Sequence, residues 1–173
     1  LDGRSLLWYA MVNGQIEIFE FLRDNLEYRD EYLLIELFKY SKPCCLEGEE
    51  QLILILEYIT NINLRDSYGQ TALHSALVSH FESSHLYKWM ITLLEYGANP
   101  CIKDNYESSP LDKSLMSNMT EISAIFISHM NGQVDINKNV LIFTIIHHNN
   151  YDMVELILPH ITNINELDEN GHT

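Results

Sequence analysis

Basic residues are scarce in this chain of 173. Lys and Arg number 10 against 25 Asp and Glu, for a formal charge of −15. Binding to nucleic acid or to an anionic membrane rests on neutralising phosphates with Lys and Arg, so neither is expected as a ligand. Between Glu17 and Glu57 eleven acids stand against four bases. Such a stretch favours a partner with a basic surface, or simply keeps a solvated face soluble and the chain monomeric. Long apolar runs are missing as well. No stretch approaches the ~20 residues needed to cross a bilayer, and Leu1-Asp2-Gly3-Arg4 has neither the basic nor the apolar region of a signal peptide. The reading is a cytoplasmic, intracellular chain with no membrane insertion, a reading that leaves room for the nucleus.

Reactive groupings are also missing. The three cysteines, Cys44, Cys45 and Cys101, form no C-x-x-C pair, which fits reduced thiols rather than a redox site. His147 and His148, with His129 and His160 nearby, lack a cysteine or carboxylate at a metal-ligand spacing, and adjacent helical residues diverge by ~100°; no metal is expected. Phosphate loops, dinucleotide fingerprints and hydrolase or zinc-protease motifs do not occur. Catalytic residues and cofactors are therefore expected to be none. Asn118-Met119-Thr120 fits a glycosylation sequon that an intracellular chain would not use.

What is present is concentrated between Asp66 and Pro100. It opens Asp66-Ser67-Tyr68-Gly69-Gln70-Thr71-Ala72-Leu73-His74-Ser75-Ala76 and closes Leu93-Leu94-Glu95-Tyr96-Gly97-Ala98-Asn99-Pro100. Gly69 suits a turn in which a Cβ would be costly. Thr71 can cap a helix that starts at Ala72, with Leu73 and Ala76 facing the core. Leu86, Trp89, Met90, Leu93 and Leu94 then recur at i, i+3, i+4, i+7 and i+8, the spacing of one buried stripe. Gly97 suits a left-handed cap and Pro100 stops the helix. The pattern D-x-x-G-x-T-A-L-H-x-A followed by L-L-x-x-G-A-x-P resembles an ankyrin repeat.

A helical hairpin of this size cannot bury its apolar face alone, so the unit must recur. Gly3 to Gly69 spans 66 residues, twice 33, and Ile59-Thr60-Asn61-Ile62-Asn63 returns unchanged as Ile161-Thr162-Asn163-Ile164-Asn165, 102 residues on. Six units are predicted, at about 1–28, 29–63, 64–100, 101–136, 137–165 and a start at 166–173, forming one array. In the first, Ser5 and Trp8 stand for Thr and His, and Ile18, Phe21 and Leu22 are expected to form the buried stripe. The second has lost the opening motif and carries Pro43 and Gly48 in a long link. In the third, five extra residues are expected in the loop His80 to His85. In the fourth, Ser109 caps and Pro110 leads the helix, Glu107 replaces the turn glycine at a cost of about 1 kcal/mol or another turn shape, and Asp112 replaces the His. Asp135-Ile136-Asn137 loosely resembles sites of Asn hydroxylation in ankyrin repeats, and is read here as a turn between units. Because the chain opens and closes inside turn motifs, it is expected to be part of a longer array.

The resemblance implies an all-α solenoid of stacked helix-turn-helix units with projecting turns, and a concave surface that binds other proteins. It implies a structural role for His74, tying neighbouring turns together. Carried over by position, the exposed partner-binding candidates are Arg4 and Tyr9 in the first unit, Ser67, Tyr68, Gln70 and Ser75 in the third, and Asn105, Tyr106, Ser108 and Lys113 in the fourth. Tyr68 and Tyr106 occupy equivalent turn positions and would anchor a partner well. The expected function is non-catalytic protein binding. The alternatives are the targeting arm of a larger enzyme, pathogen effector or ubiquitin-ligase adaptor, and a structural spacer.

Overall fold

The computed structural model describes residues 4–27, 30–40, 49–79, 83–131, 134, 136, 142–143 and 147–161. Among them every regular element is helical: α1 Leu6–Val12, α2 Ile16–Asn25, α3 Leu33–Tyr40, α4 Glu49–Tyr58, α5 Ala72–Leu77, α6 Ser83–Glu95, α7 Pro110–Met116, α8 Thr120–His129 and α9 Tyr151–Ile157, with a 3₁₀ turn at Leu158–His160. The expectations placed on Pro43, Gly48, Cys44, Cys45, Asp135, Asn137 and the sixth unit lie outside the described residues. The chain divides into two compact units, Leu1–Ser108 and Ser109–Thr173. Their boundary falls inside the predicted fourth repeat, between its turn and its helix cap.

In the first compact unit, short first helices alternate with longer second ones, as the two apolar stripes per repeat require. Ser5 caps α1 by accepting from the backbone N–H of Trp8 at 3.2 Å. Thr71 and His74 cap α5 reciprocally. The predicted stripe of α6 is wholly internal: Leu86, Trp89, Met90, Leu93 and Leu94 are all buried, and Trp89 meets Phe38 of α3 at 5.7 Å between ring centroids. Gly97 ends that helix at φ 88°, the left-handed cap that a side chain would disfavour. The second repeat, without an opening motif, is held by Asp30 instead. Its buried carboxylate accepts from the Ser5 hydroxyl, and its backbone N–H donates to the Tyr58 hydroxyl at 2.7 Å.

Two expectations are corrected here. The buried stripe of α2 is not Ile18, Phe21 and Leu22: Ile18 is 47% and Phe21 65% exposed, Leu22 is half-buried, and Phe19 is fully buried against Tyr58 at 6.0 Å. Phe19 stands about 100° from Ile18 and about 160° from Phe21 around a helix, so one packed face cannot hold all three. The second concerns the insertion in the third repeat. Ser83, Ser84 and His85 belong to α6 rather than to a loop, while 80–82 lie outside the described residues. Aligned on Leu93-Leu94 against Phe126-Ile127, α6 begins roughly one turn earlier than α8. Helix satisfies the added backbone groups internally, as an open loop does not.

In the second compact unit the short α7 and longer α8 follow the same pattern. Ser109 caps α7 with Pro110 in its first turn, and the buried hydroxyls of Ser114 and Ser123 meet at 2.8 Å between α7 and α8. Asn150 caps α9 by accepting from the N–H of Met153. Its amide donates to Asn118 Oδ1 at 2.7 Å and to Thr120 Oγ1 at 3.0 Å. His148 Nε2 donates to the Met116 carbonyl at 2.7 Å, and its ring lies edge-on to Phe143. These contacts give His148 and Asn118 packing roles. Among the described residues no group of three His, Cys, Asp or Glu is placed to hold a metal, and no helix is long and apolar enough to cross a membrane.

Candidate interaction surface

The chemistry that survives on the surface sits on two turns drawn to one plan. In the first, Asp66 Oδ1 accepts from the backbone N–H of Tyr68 and of Gln70, both at 2.8 Å, and Gly69 N–H donates to the Asp66 carbonyl at 2.9 Å. In the second, Asp104 Oδ1 accepts from Tyr106 at 2.9 Å and Ser108 at 3.1 Å, and Glu107 N–H donates to the Asp104 carbonyl at 3.1 Å. Each aspartate thus replaces the water that the tip amides would otherwise need. The turns are joined: Asn105 N–H donates to the Tyr68 carbonyl and Asn105 Nδ2 to the Ser67 carbonyl, both at 3.0 Å. His74 adds a third tie. Its Nε2 donates to the Ser108 carbonyl at 3.0 Å, which fixes the tautomer and leaves Nδ1 to accept from the Thr71 N–H at 3.1 Å.

The sequence profile of the ankyrin repeat family matches residues 68–105. This chain carries an ankyrin repeat. The match runs from one turn tip to the next and encloses α5 and α6, the segment whose motif is most complete. Ankyrin repeats are in general non-catalytic protein-interaction modules. Nothing among the curated proteins matches the chain.

On this ankyrin unit and its neighbours the ten candidate residues fall in different places. Tyr68 is 57% and Tyr106 75% exposed, and Ser67 and Asn105 are exposed beside them. These four form one surface through the hydrogen bonds of Asn105. Gln70 and Ser108 are half-buried, their backbones spent on the turns. Arg4 and Tyr9 are half-buried around Trp8: the Arg4 guanidinium lies between Trp8 at 4.4 Å and Tyr40 at 4.6 Å, and Tyr9 packs edge-on to Trp8 at 5.2 Å. Lys113 is half-buried on α7, in the second compact unit. Ser75 is a correction. Expected on the exposed face, it is fully buried with all of α5, because that helix packs against both α3 and α6.

Three residues that shape this surface were not anticipated. Lys39, at the end of α3, forms an ion pair with Asp66 and lies 5.4 Å from the Tyr68 ring centroid. Burial pushes the Asp66 carboxyl up, but the hydrogen bond from Lys39 and those from the Gln70 and Tyr68 amides outweigh it and hold the group below its ordinary range. Arg65 reaches over the first turn, with Nε donating to the Gly69 carbonyl at 3.0 Å and Nη2 to Asn105 Oδ1 at 3.3 Å. Asn63 bridges to the exit of the next repeat, its Nδ2 donating to the Gly97 carbonyl at 2.9 Å and its Oδ1 accepting from Asn99 N–H at 2.8 Å. Asn63 had a signal in the sequence, the pentapeptide repeated at 161–165. Lys39 and Arg65 had none, because Asp66 lies 27 positions from Lys39 and Asn105 lies 40 from Arg65, and only folding brings them near.

Proposed function

We propose that this chain is a non-catalytic module that holds one partner protein through the turn tips at Ser67, Tyr68, Asn105 and Tyr106. One observation carries the reading: two strongly exposed tyrosines stand on turns already locked to each other by hydrogen bonds. Aromatic anchors on fixed backbone lose little entropy on binding, so more of their contact energy becomes affinity. The acids on α2, Glu17, Glu20 and Asp24, favour a basic patch elsewhere on the same partner. The chain acts as a cytoplasmic monomer, and Gln70 and Ser108 support the surface through their backbones rather than touch the partner.

Capture from a cell lysate tests this at two salt concentrations, with Tyr68→Ala/Tyr106→Ala as the control. A protein retained by the natural chain and weakened at least tenfold by the double substitution supports the tyrosine surface. Equal retention by both chains overturns it.

A further inference from the structure

We propose that Arg65 is a receptor for a carboxylate on the partner, so that the tyrosine-bearing turns take an acidic peptide segment although the chain as a whole is strongly acidic. The proposal rests on the reading of the turns given above and names the ligand chemistry of that surface. Arg65 is exposed, and its two hydrogen bonds go to neutral acceptors, the Gly69 carbonyl and the Asn105 amide oxygen. A guanidinium has five N–H donors, so three remain.

In a chain with 25 acids an arginine is readily neutralised. Arg23 pairs with Asp24 at 2.9 Å, Lys103 with Glu107 at 3.5 Å, and Lys39 with Asp66. Arg65 has no carboxylate partner among the described residues. The adjoining Asp66 is occupied by Lys39 and the two tip amides. The arrangement also depends on the missing side chain of Gly69. A Cβ there would stand 2.5 Å from Arg65 Nη2 and 2.4 Å from Asn105 Oδ1, closer than either atom could tolerate.

A cation held still by two neutral hydrogen bonds, with free donors in a fixed fork, is preorganised for bidentate capture of a carboxylate. The same turns carry Tyr68 and Tyr106, whose exposed rings supply apolar contact on either side of the captured group in sequence. Charge alone would steer a basic peptide to this protein. The Arg65 fork reverses that preference locally, and a segment with Asp or Glu next to apolar residues fits it.

The test uses random peptides displayed on phage, selected on the immobilised whole chain at an ionic strength of about 0.15 M, with affinities then measured by fluorescence anisotropy. The expected peptides are enriched in Asp and Glu, bind at least tenfold more weakly to Arg65→Gln, and recover part of that loss with Arg65→Lys. Replacing the acidic residue of the peptide by its amide should cause the same loss on the natural chain, a measurement that no folding defect can mimic. Enrichment of basic or neutral peptides, or an amide peptide that binds as well as the acid, overturns the proposal, as does the failure of any peptide to enrich. Peptides that need both tyrosines but ignore Arg65 overturn this inference and leave the binding surface standing. Peptides that need Arg65 and ignore the tyrosines do the reverse.

Discussion

The turns at Asp66 and Asp104 share one hydrogen-bond plan and differ in what their neighbours demand. The fourth residue is left-handed in both, Gly69 at φ 75° and Glu107 at φ 59°. The sequence left two outcomes for a glutamate there, a strained turn or another turn shape; the shape is kept, with Glu107 in the left-handed region. Position explains the tolerance. Gly69 lies under Arg65 and Asn105, with no room for a Cβ, whereas the Glu107 side chain is 82% exposed, with Lys103 Nζ 3.5 Å from its carboxylate. A like contrast holds at the helix caps. His74 accepts from the Thr71 amide with one nitrogen and donates to the next turn with the other. Asp112 accepts from the Ser109 amide at 2.9 Å and its hydroxyl at 2.6 Å, and as a carboxylate it has no proton to pass on. Both substitutions keep the local hydrogen bonds of the repeat.

Exchanging residues between the two turns probes that contrast. Gly69→Glu should cost about 3 kcal/mol, the left-handed penalty plus displacement of Arg65 and Asn105, read as a lowered denaturation midpoint; a loss as small as that of an exposed site would show the two turns to be equivalent. The ion pair is the next largest effect. Lys39→Met should lose about 1 kcal/mol at neutral pH. Because the folded-state Asp66 carboxyl is held below its ordinary value, its contribution is present above the unfolded value of about 3.9. It is lost as pH falls through the folded value, so the natural and Lys39→Met stabilities should converge in acid. A difference that persists there would mean that the lysine acts by packing. Glu107→Gly is the smallest, a gain of about 0.5 kcal/mol once the added freedom of the unfolded chain offsets part of the relieved strain. No gain in thermal midpoint would show that Glu107 is not strained.

Much of the surface was legible because ankyrin-like motifs are local. The left-handed glycines, the Thr71 and Ser109 caps, the α6 stripe and the exposed tyrosines all follow from residues a few positions apart. Where prediction failed, a choice between faces was involved. Ile18, Phe19 and Phe21 offer α2 two apolar sides, and only the packing of Phe19 on Tyr58 decides between them. Ser75 sits on a helix of six buried residues, where the position carried over from the family resemblance gave the wrong side because α3 and α6 enclose it. The extra residues before Leu86 read as loop, but Ser83 to His85 join α6, where helix satisfies their backbone groups internally.

By itself the sequence determined the all-helical fold, its caps and the acidic charge, since each depends on spacing or on counts. Tertiary structure decided which apolar side of α2 is covered, that Ser75 is internal, and that Lys39, Asn63 and Arg65 bind turns and exits from other repeats. The physical reason is distance along the chain. A cap or a stripe is written within one turn of helix, while a hydrogen bond such as that from Arg65 to Asn105 joins residues 40 positions apart and exists only once neighbouring repeats stack.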